Sequence, residues 1–173
     1  MTAIRVAALA ALFGVTLAAA TQASLVDRLA GRYNHHFTNG TVFGESYPSD
    51  DVLEIVRLDR RRAYFRARVN FFNGHSCAIR GVAHLEGNAL VYRGTDTPFS
   101  AGSRCVMRFR LVGGGLDLDD GGGSCQQTCG ARGTYMGNGP EFAMSSRRPI
   151  AYLAQLRASR EYRDAIAEDA RRH

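Results

Sequence analysis

The middle of the chain alternates between apolar and polar positions. From residue 63 to residue 71 every second side chain is apolar, and Tyr, Arg and Asn occupy the positions between. Because successive side chains of a strand point to opposite faces of a sheet, this alternation predicts a strand with one buried face. Asn73-Gly74 follows at once, a dipeptide typical of tight hairpin turns. The pattern therefore predicts an antiparallel hairpin around residue 73.

Similar short segments on both sides of this hairpin predict further strands. The predicted strands cover residues 31–37, 51–58, 63–71, 77–85, 89–93 and 105–111, with a return strand from Leu116 and a last short strand over 132–136. A polar loop over 94–103 and turns rich in Gly, Asn and Asp separate them. About seven short strands with turns at short intervals predict a mainly β fold, a small antiparallel β-barrel or sandwich. We expect no helix before about residue 145, because no apolar helical periodicity occurs there.

The C-terminal part of the chain has a helical pattern. Ser145 can cap a helix, and Pro149 suits a first helical turn. Leu153 and Leu156 belong to a narrow apolar stripe, and oppositely charged residues stand four positions apart. We predict one helix over about residues 149–169. Its stripe is expected to pack on or beside the β domain, with a partner-binding amphipathic helix as the alternative.

The N-terminus has the pattern of an export signal. Arg5 is its one charge, an uncharged stretch rich in Ala and Leu follows to residue 20, and small residues lead to Ala23. This is the order of a secretory signal peptide, cleaved after Ala20 or Ala23. The apolar core of about 15 residues is short for a membrane-spanning helix, which needs about 20. A retained anchor is thus the weaker alternative, and we predict a periplasmic or secreted protein without a membrane span after signal removal.

These patterns divide the chain into three parts. The predicted organisation is a signal peptide over 1–23, a β domain over 24–144 and a C-terminal helical segment over 145–173. The mature part of about 150 residues suits one domain that can bury most of its apolar surface.

Four cysteines lie in the mature part, Cys77, Cys105, Cys125 and Cys129. An even number in a small exported domain predicts two disulfides, and four cysteines allow three pairings. A hairpin that turns near residue 114 places Cys105 roughly opposite 122–125, which favours Cys105–Cys125 and, by remainder, Cys77–Cys129. The rival interpretation is a metal site that joins Cys77, Cys125 and Cys129 to His75, but the spacing matches no standard zinc pattern.

The charge of the chain comes from arginine alone. All 22 basic residues are Arg, and the formal charge of +6 falls to +5 when Arg5 leaves with the signal, which contains no acid. Clusters such as Arg60-Arg61-Arg62 can attract nucleic acid, anionic lipid or acidic glycans. Acidic residues are interspersed, however, and no nucleic-acid motif accompanies the clusters. We therefore predict a solvated charged face and no nucleic-acid partner.

The candidate ligand-binding residues are the histidines His35, His36, His75 and His84. His35 and His36 are adjacent and face opposite sides of a regular strand, so they cannot both ligate one ion. No serine stands in a G-x-S-x-G elbow, and the acidic run at 117–121 has Thr128 where a calcium loop needs Glu. The sequence therefore predicts no catalytic residue, no metal ion and no cofactor. Convergence of the histidines in the fold would change that prediction.

One ordered set of residues resembles a known group of proteins. Asn73-Gly74-His75-Ser76-Cys77, Gly81-Val82-Ala83, Cys105 and the run from Cys125 to Gly130 occur in this order. Over residues 31–136 this order resembles small exported bacterial proteins, and the β-rich part of lysozyme-inhibitor-like (LprI-type) proteins. The cysteine-rich helical region at the N-terminus of that family is absent from this chain. The resemblance implies an exported, disulfide-stapled, barrel-like fold with no obvious active site.

These expectations combine into one functional hypothesis. We predict an exported, non-enzymatic binding protein of the lysozyme-inhibitor-like kind, with a protein partner such as a lysozyme. A charge of +5 opposes long-range attraction to a cationic lysozyme, which lowers the association rate. The alternative is a periplasmic protein that binds a small ligand or a metal ion.

Overall fold

Strands that are consecutive in the sequence are also neighbours in space. The computed structural model describes residues 23–94, 104–129, 133, 135 and 142–173. Within those residues the strands are β1 (Gly31–Gly40), β2 (Ser46–Arg57), β3 (Arg62–Asn70), β4 (Ser76–Glu86), β5 (Ala89–Arg93), β6 (Val106–Val112), β7 (Gly115–Asp119) and β8 (Phe142–Ala143). Each strand pairs antiparallel with the next, so the eight form one meandering sheet.

The sheet curls round until its two ends meet. The Arg32 amide in β1 donates to the Arg148 carbonyl, and the Arg148 amide donates back to Arg32, each at 2.8 Å. Right-handed strand twist favours this kind of closure, which protects the edges of a sheet. The structure therefore confirms the predicted mainly β, antiparallel fold, and of the two predicted architectures, barrel and sandwich, it has a nearly closed barrel.

Large apolar side chains fill the barrel interior. Phe65 lies at its centre, with ring centroids 4.6 Å from Phe109 and 5.2 Å from Tyr92. The side chains in the same core that are at most 1% exposed include Tyr33, Leu53, Ile55, Val69, Leu90, Met107, Leu116 and Phe142. Small closed barrels are filled in this way by their inward-facing residues. Among the described residues the interior is thus a packed core, and the concave surfaces lie on the outside of the barrel.

The two disulfides have the predicted pairing. Cys105–Cys125 joins the start of β6 to the chain beyond β7, and Cys77–Cys129 joins β4 to the residue after a short 3₁₀ turn, Gln126–Thr128. The remaining 3₁₀ turns are Phe72–Gly74 and Met144–Ser146. Both pairs are thus intramolecular staples of a kind typical of oxidising compartments.

A short helix, α1 (Leu25–Leu29), precedes the barrel and corrects the expectation of no helix before residue 145. Its apolar residues Val26 and Leu29 are fully buried in the main core. Ser24 and Asp27 form a capping box, since each side chain bonds the backbone amide of the other. Five residues are too few to show the spacing of apolar residues that predicts a helix. The capping box was therefore the sequence feature that could have predicted α1.

The C-terminal segment forms two helices, α2 (Leu153–Ala158) and α3 (Arg160–Ala170), where the sequence predicted one. Ser159 separates them because its backbone is extended and its hydroxyl accepts from the Tyr162 amide, which starts a new helix. Leu156 and Ala165 pack on Val56 and Tyr64, on the outer face of β2 and β3. The tail therefore covers one side of the barrel.

Three sequence predictions fall on residues outside the described part of the chain. They are the signal peptide up to residue 22, most of the polar loop over 94–103 and most of the predicted strand over 132–136. The short strand β8 lies later than that prediction. None of the helices in the described residues is long and apolar enough to cross a membrane.

Candidate functional site

Four charged residues form a row across the outer face of the first four strands. Arg32 in β1 stands opposite Glu54 in β2, which stands opposite Arg66 in β3, which stands opposite Arg80 in β4. Residues directly opposite one another lie on the same face of a sheet. We call Arg32, Glu54, Arg66 and Arg80 the charged row.

Glu54 at the centre of the charged row is completely buried. Arg32 Nη1 donates to Glu54 Oε1 at 2.7 Å, and Arg66 Nε donates to the other carboxylate oxygen. The Tyr152 hydroxyl, from the segment just before α2, donates to Oε1 as well. Both guanidinium groups also lie 5.8 Å from the Tyr152 ring centroid. A buried carboxylate needs this kind of pairing, because an unpaired charge in the interior is very costly.

These contacts decide the ionisation of Glu54. Burial alone raises the pKa of the carboxyl, because the interior disfavours a charge. The hydrogen bonds from Tyr152, Arg66 and Arg32 together outweigh burial and hold the pKa of Glu54 below its ordinary value of 4.5. The carboxylate is therefore charged at neutral pH, and it fixes two arginines in place.

A groove of about 410 Å³ lies beside the charged row. We call it the arginine groove; its lining includes Val52, Arg66, Arg68, Ala78, Arg80 and Glu161. Val52 and Ala78 flank Arg68 in register, so they form a small apolar floor. Glu161 of α3 lies 3.8 Å from Arg66. The groove thus has an apolar floor and walls rich in guanidinium groups.

Arg68 and Arg80 differ from the other arginines of this groove. Both are exposed, and neither has an ion-pair partner among the residues that the structure describes. Arg32 and Arg66, by contrast, share Glu54. A guanidinium group offers a rigid fork of donors that matches carboxylate and phosphate oxygens. The two unpaired groups are therefore available to an anionic ligand.

A second concave surface of about 750 Å³ lies where the end of α3 meets β4 and β5. His84, Asp169 and His173 line it together with several arginines. His84 Nε2 and Asp169 Oδ1 are 2.7 Å apart. Within the described residues, these three are the single group of three or more His, Cys, Asp or Glu side chains close enough to share one ion.

The structure does not bring the four candidate histidines together. His35 and His36 lie in β1 and face Asp51 at 3.4 Å and Asp50 at 2.9 Å across the β1–β2 pair. His75 closes the turn after β3, where its carbonyl accepts from the Phe71 amide at 2.7 Å. Only His84 of the four joins the group with Asp169. Sequence reasoning missed His173, although its spacing of four residues from Asp169 matches one helical turn.

The rival cysteine and acid sites do not form. Cys125 and Cys129 are bonded to different partners, so their thiols are unavailable for metal binding or redox exchange. Asp117 and Asp119 lie 3.2 Å and 2.9 Å from Arg110. Asp120 accepts from the backbone amides of the following turn. This acidic run thus stabilises a hairpin and its turn.

No protein-family model, no curated protein and no solved structure matches this chain. The likeness to lysozyme-inhibitor-like proteins stays a prediction from the sequence, as does its lysozyme partner. The functional assignment therefore rests on the surfaces of the fold itself.

Proposed function

We propose that this protein is an exported, non-enzymatic binding protein whose arginine groove holds a small organic anion. One observation carries the proposal: two exposed guanidinium groups without ion-pair partners among the described residues line a groove beside its apolar residues Val52 and Ala78. Arginine pairs with carboxylates and phosphates through charge-assisted, often bidentate hydrogen bonds. An apolar floor adds contact for the carbon skeleton of the same ligand.

Preorganisation supports this assignment. The buried carboxylate of Glu54 and the hydroxyl of Tyr152 hold Arg66 at one wall of the groove before any ligand arrives. Ordering a long free side chain on binding costs about 0.5–1.5 kcal/mol, so a fixed wall favours affinity. The residues that line the groove include four arginines, Arg32, Arg66, Arg68 and Arg80, and two acids, Glu54 and Glu161, so its net charge is positive. The groove thus attracts negative charge.

The chemistry of these side chains favours binding over catalysis. Arginine stays protonated at all physiological pH values, so it cannot act as a general acid or base. Glu54 is fully buried and engaged by three donors, which leaves it without access to a ligand in the groove. Binding without bond-making chemistry is the role that this set of residues fits best.

Two features favour an exported location, periplasmic or secreted. The disulfides Cys77–Cys129 and Cys105–Cys125 are of a kind that persists in oxidising compartments. The residues before Ala23 have the order of a secretory signal. A ligand taken from that environment would be an anion present outside the cytoplasm.

Isothermal titration calorimetry with benzoate, octanoate, citrate and inorganic phosphate tests the groove. We expect saturable binding of at least one of the three organic anions at low salt. Arg68→Gln and Arg80→Gln should each weaken it about ten-fold or more, since a hydrogen bond to a charged group contributes about 1.5–3 kcal/mol and 1.4 kcal/mol is ten-fold. Arg157→Gln, at an exposed arginine of α2, is the matched control and should bind like the parent protein.

Three outcomes would contradict the anion site. They are no binding by any organic anion, binding by phosphate alone, and equal affinities for the parent protein and the two groove variants. Because Arg68 and Arg80 are exposed, their substitution leaves the core intact. Near-ultraviolet circular dichroism of each variant checks that the fold is unchanged.

A second candidate function keeps the predicted protein partner. Val42 and Phe43 in the β1–β2 turn are 56% and 88% exposed, and Phe72 in the turn after β3 is 53% exposed. The two turns are joined, because the Val42 amide donates to Asn73 Oδ1 at 3.3 Å. Exposed aromatic side chains on a fixed turn are typical anchors in protein interfaces. We propose this apolar tip as the contact for a lysozyme.

A lytic assay with several lysozymes at stoichiometric excess of this protein tests that candidate. We expect inhibition of at least one lysozyme, and about ten-fold weaker inhibition by Phe43→Ser, as for an interface anchor worth at least about 1.4 kcal/mol. Val112→Ser is the control, because Val112, the last residue of β6, is 52% exposed beside a different turn. This candidate function would be wrong if every lysozyme lysed cells undiminished. It would also be wrong if Phe43→Ser and Val112→Ser weakened the inhibition equally.

A further inference from the structure

Three side chains with metal-binding chemistry converge where the tail returns to the barrel. One ligand atom each from His84, Asp169 and His173 lies within 4.8 Å of the other two. The rings of His84 and His173 have centroids 4.5 Å apart. Neither the arginine groove nor the apolar tip includes any of these residues.

The fold explains why these residues meet. His84 lies on the outer face of β4, in register with Arg62 of β3. Helix α3 packs on this face, and its last turn brings the buried Asp169 against His84. His173 follows Asp169 by four residues, so it returns to the same side of the helix end. A strand and a helix end thus supply the three groups.

Asp169 is oriented in the way that metal-binding carboxylates commonly are. Its Oδ1 atom faces the imidazoles, 2.7 Å from His84 Nε2 and 4.0 Å from His173 Nε2. Its Oδ2 atom faces Arg62 Nη1 at 3.4 Å, and Arg62 is in turn held by Asp59 at 2.7 Å. An outer hydrogen bond of this kind fixes a ligating carboxylate. One oxygen is therefore free to meet the two histidines.

We propose that His84, Asp169 and His173 bind one divalent transition-metal ion of the zinc class. Two imidazoles and one carboxylate are the donors that such ions accept, at about 2.0–2.2 Å. Tetrahedral ligands at that bond length lie about 3.3 Å apart, so His84 and Asp169 separate slightly and His173 moves closer. His173 is free to do so, because its side chain is 64% exposed.

Three of the arginines near the ligands are paired with acids, which reduces the positive charge that an incoming cation meets. Arg62 is paired with Asp59, Arg172 with Glu168, and Arg93 with Glu86 at 2.7 Å. Arg61 lines the same concave surface and donates to the Leu85 carbonyl at 3.1 Å. The fourth position of the ion opens to this surface of about 750 Å³, where a water molecule or an anion has room.

Equilibrium dialysis of the oxidised, untagged full chain against Zn²⁺ tests the proposal. We expect one Zn²⁺ per chain, and a loss of affinity of at least about ten-fold in His84→Ala and in His173→Ala, since even outer-shell substitutions cost 10–100-fold. His36→Ala is the matched control: His36 also pairs with a carboxylate, Asp50, and should leave the affinity unchanged. His173→Ala distinguishes the loss of a metal ligand from the loss of the fold. Because His173 is exposed beyond the end of α3, its substitution leaves the fold intact.

Cobalt gives a second, spectroscopic readout. Co²⁺ at this site should show the visible absorption of a low-coordinate ion, and the band should disappear in His84→Ala and in His173→Ala but remain in His36→Ala. Absence of saturable Zn²⁺ binding would overturn the proposal. Binding that His84→Ala and His173→Ala leave intact would overturn it as well, because the ion would then lie elsewhere.

Discussion

Replacing Cys77 and Cys129 together by Ala is expected to lower the free energy of unfolding by about 4 kcal/mol. The two cysteines are 52 residues apart in sequence, whereas Cys105 and Cys125 are 20 apart. A longer closed loop restricts the unfolded chain more, so removing Cys105–Cys125 should cost less, about 3 kcal/mol.

The location of Cys77–Cys129 adds a native-state reason. Cys77 is fully buried in β4, and its backbone forms an isolated antiparallel β-bridge with the backbone of Cys129. Without the disulfide, the chain that follows β7 loses its covalent attachment to β4 and keeps only the backbone bridge. The resulting protein would keep the strand order but have a looser end of the barrel.

Urea denaturation of the two double-alanine variants measures both costs. The oxidised parent protein should show no free thiol when denatured, because both disulfides are formed. A free thiol in that sample would contradict the formation of both disulfides. If the Cys105–Cys125 variant lost more free energy of unfolding than the Cys77–Cys129 variant, the expected dependence on loop length would be wrong. If the free energy of unfolding of both variants falls with urea concentration at the same slope, the two variants differ in stability and not in the compactness of their unfolded states.

The disulfide pairing could be predicted because it depends on local geometry. Cys105 precedes β6 and Cys125 follows β7, and a hairpin between those strands brings their outer ends together. The β3 strand was predictable for a similar reason, since one of its faces is buried and the other is polar. Alternating apolar and polar positions, together with turn residues, are therefore enough to predict a strand wherever only one of its faces is covered.

Other parts of the chain have no alternation of apolar and polar positions that predicts their structure. The first part of β2, residues 46–50, is polar on both faces, and only Ser49 in it is buried. Helix α1 is too short for a period, and the break at Ser159 looks like any polar position of an amphipathic helix. Strand pairing decides where β2 starts, whereas capping and packing on the barrel decide the two helical features, and the pattern of a single sequence shows none of these contacts.

The charged row was hidden because its members are far apart in sequence. Arg32, Glu54 and Arg66 look like ordinary polar positions of three strands, and Tyr152 comes from the tail, 98 residues after Glu54. One signal was present: Val52-Leu53-Glu54-Ile55-Val56 is apolar on both faces of the strand. A strand covered on both faces implies that an acid within it is buried and needs cationic partners.

Glu54→Gln is expected to lower the free energy of unfolding by about 3 kcal/mol at pH 7, because it leaves Arg32 and Arg66 without their shared counter-ion. Both arginine side chains keep about a third of their surface exposed, 30% and 34%, so water compensates in part and the low end of the usual range applies. Glu161→Gln is the matched control. Its side chain is 52% exposed and 3.8 Å from Arg66, and a change of at most about 0.5 kcal/mol is expected.

The pH dependence of this difference separates the role of the Glu54 charge from that of its hydrogen bonds alone. A carboxyl whose folded pKa lies below its ordinary value stabilises the fold above that value, and the stabilisation is lost as pH falls through the folded pKa. The gap in stability between the parent protein and Glu54→Gln should therefore be full at neutral pH and shrink below pH 4.5. Urea denaturation across that range measures it. A gap that stays constant on acidification would mean that the loss in Glu54→Gln comes from hydrogen bonds that an amide cannot make and not from the charge, and then the fixed arginine wall of the groove would lose its electrostatic basis.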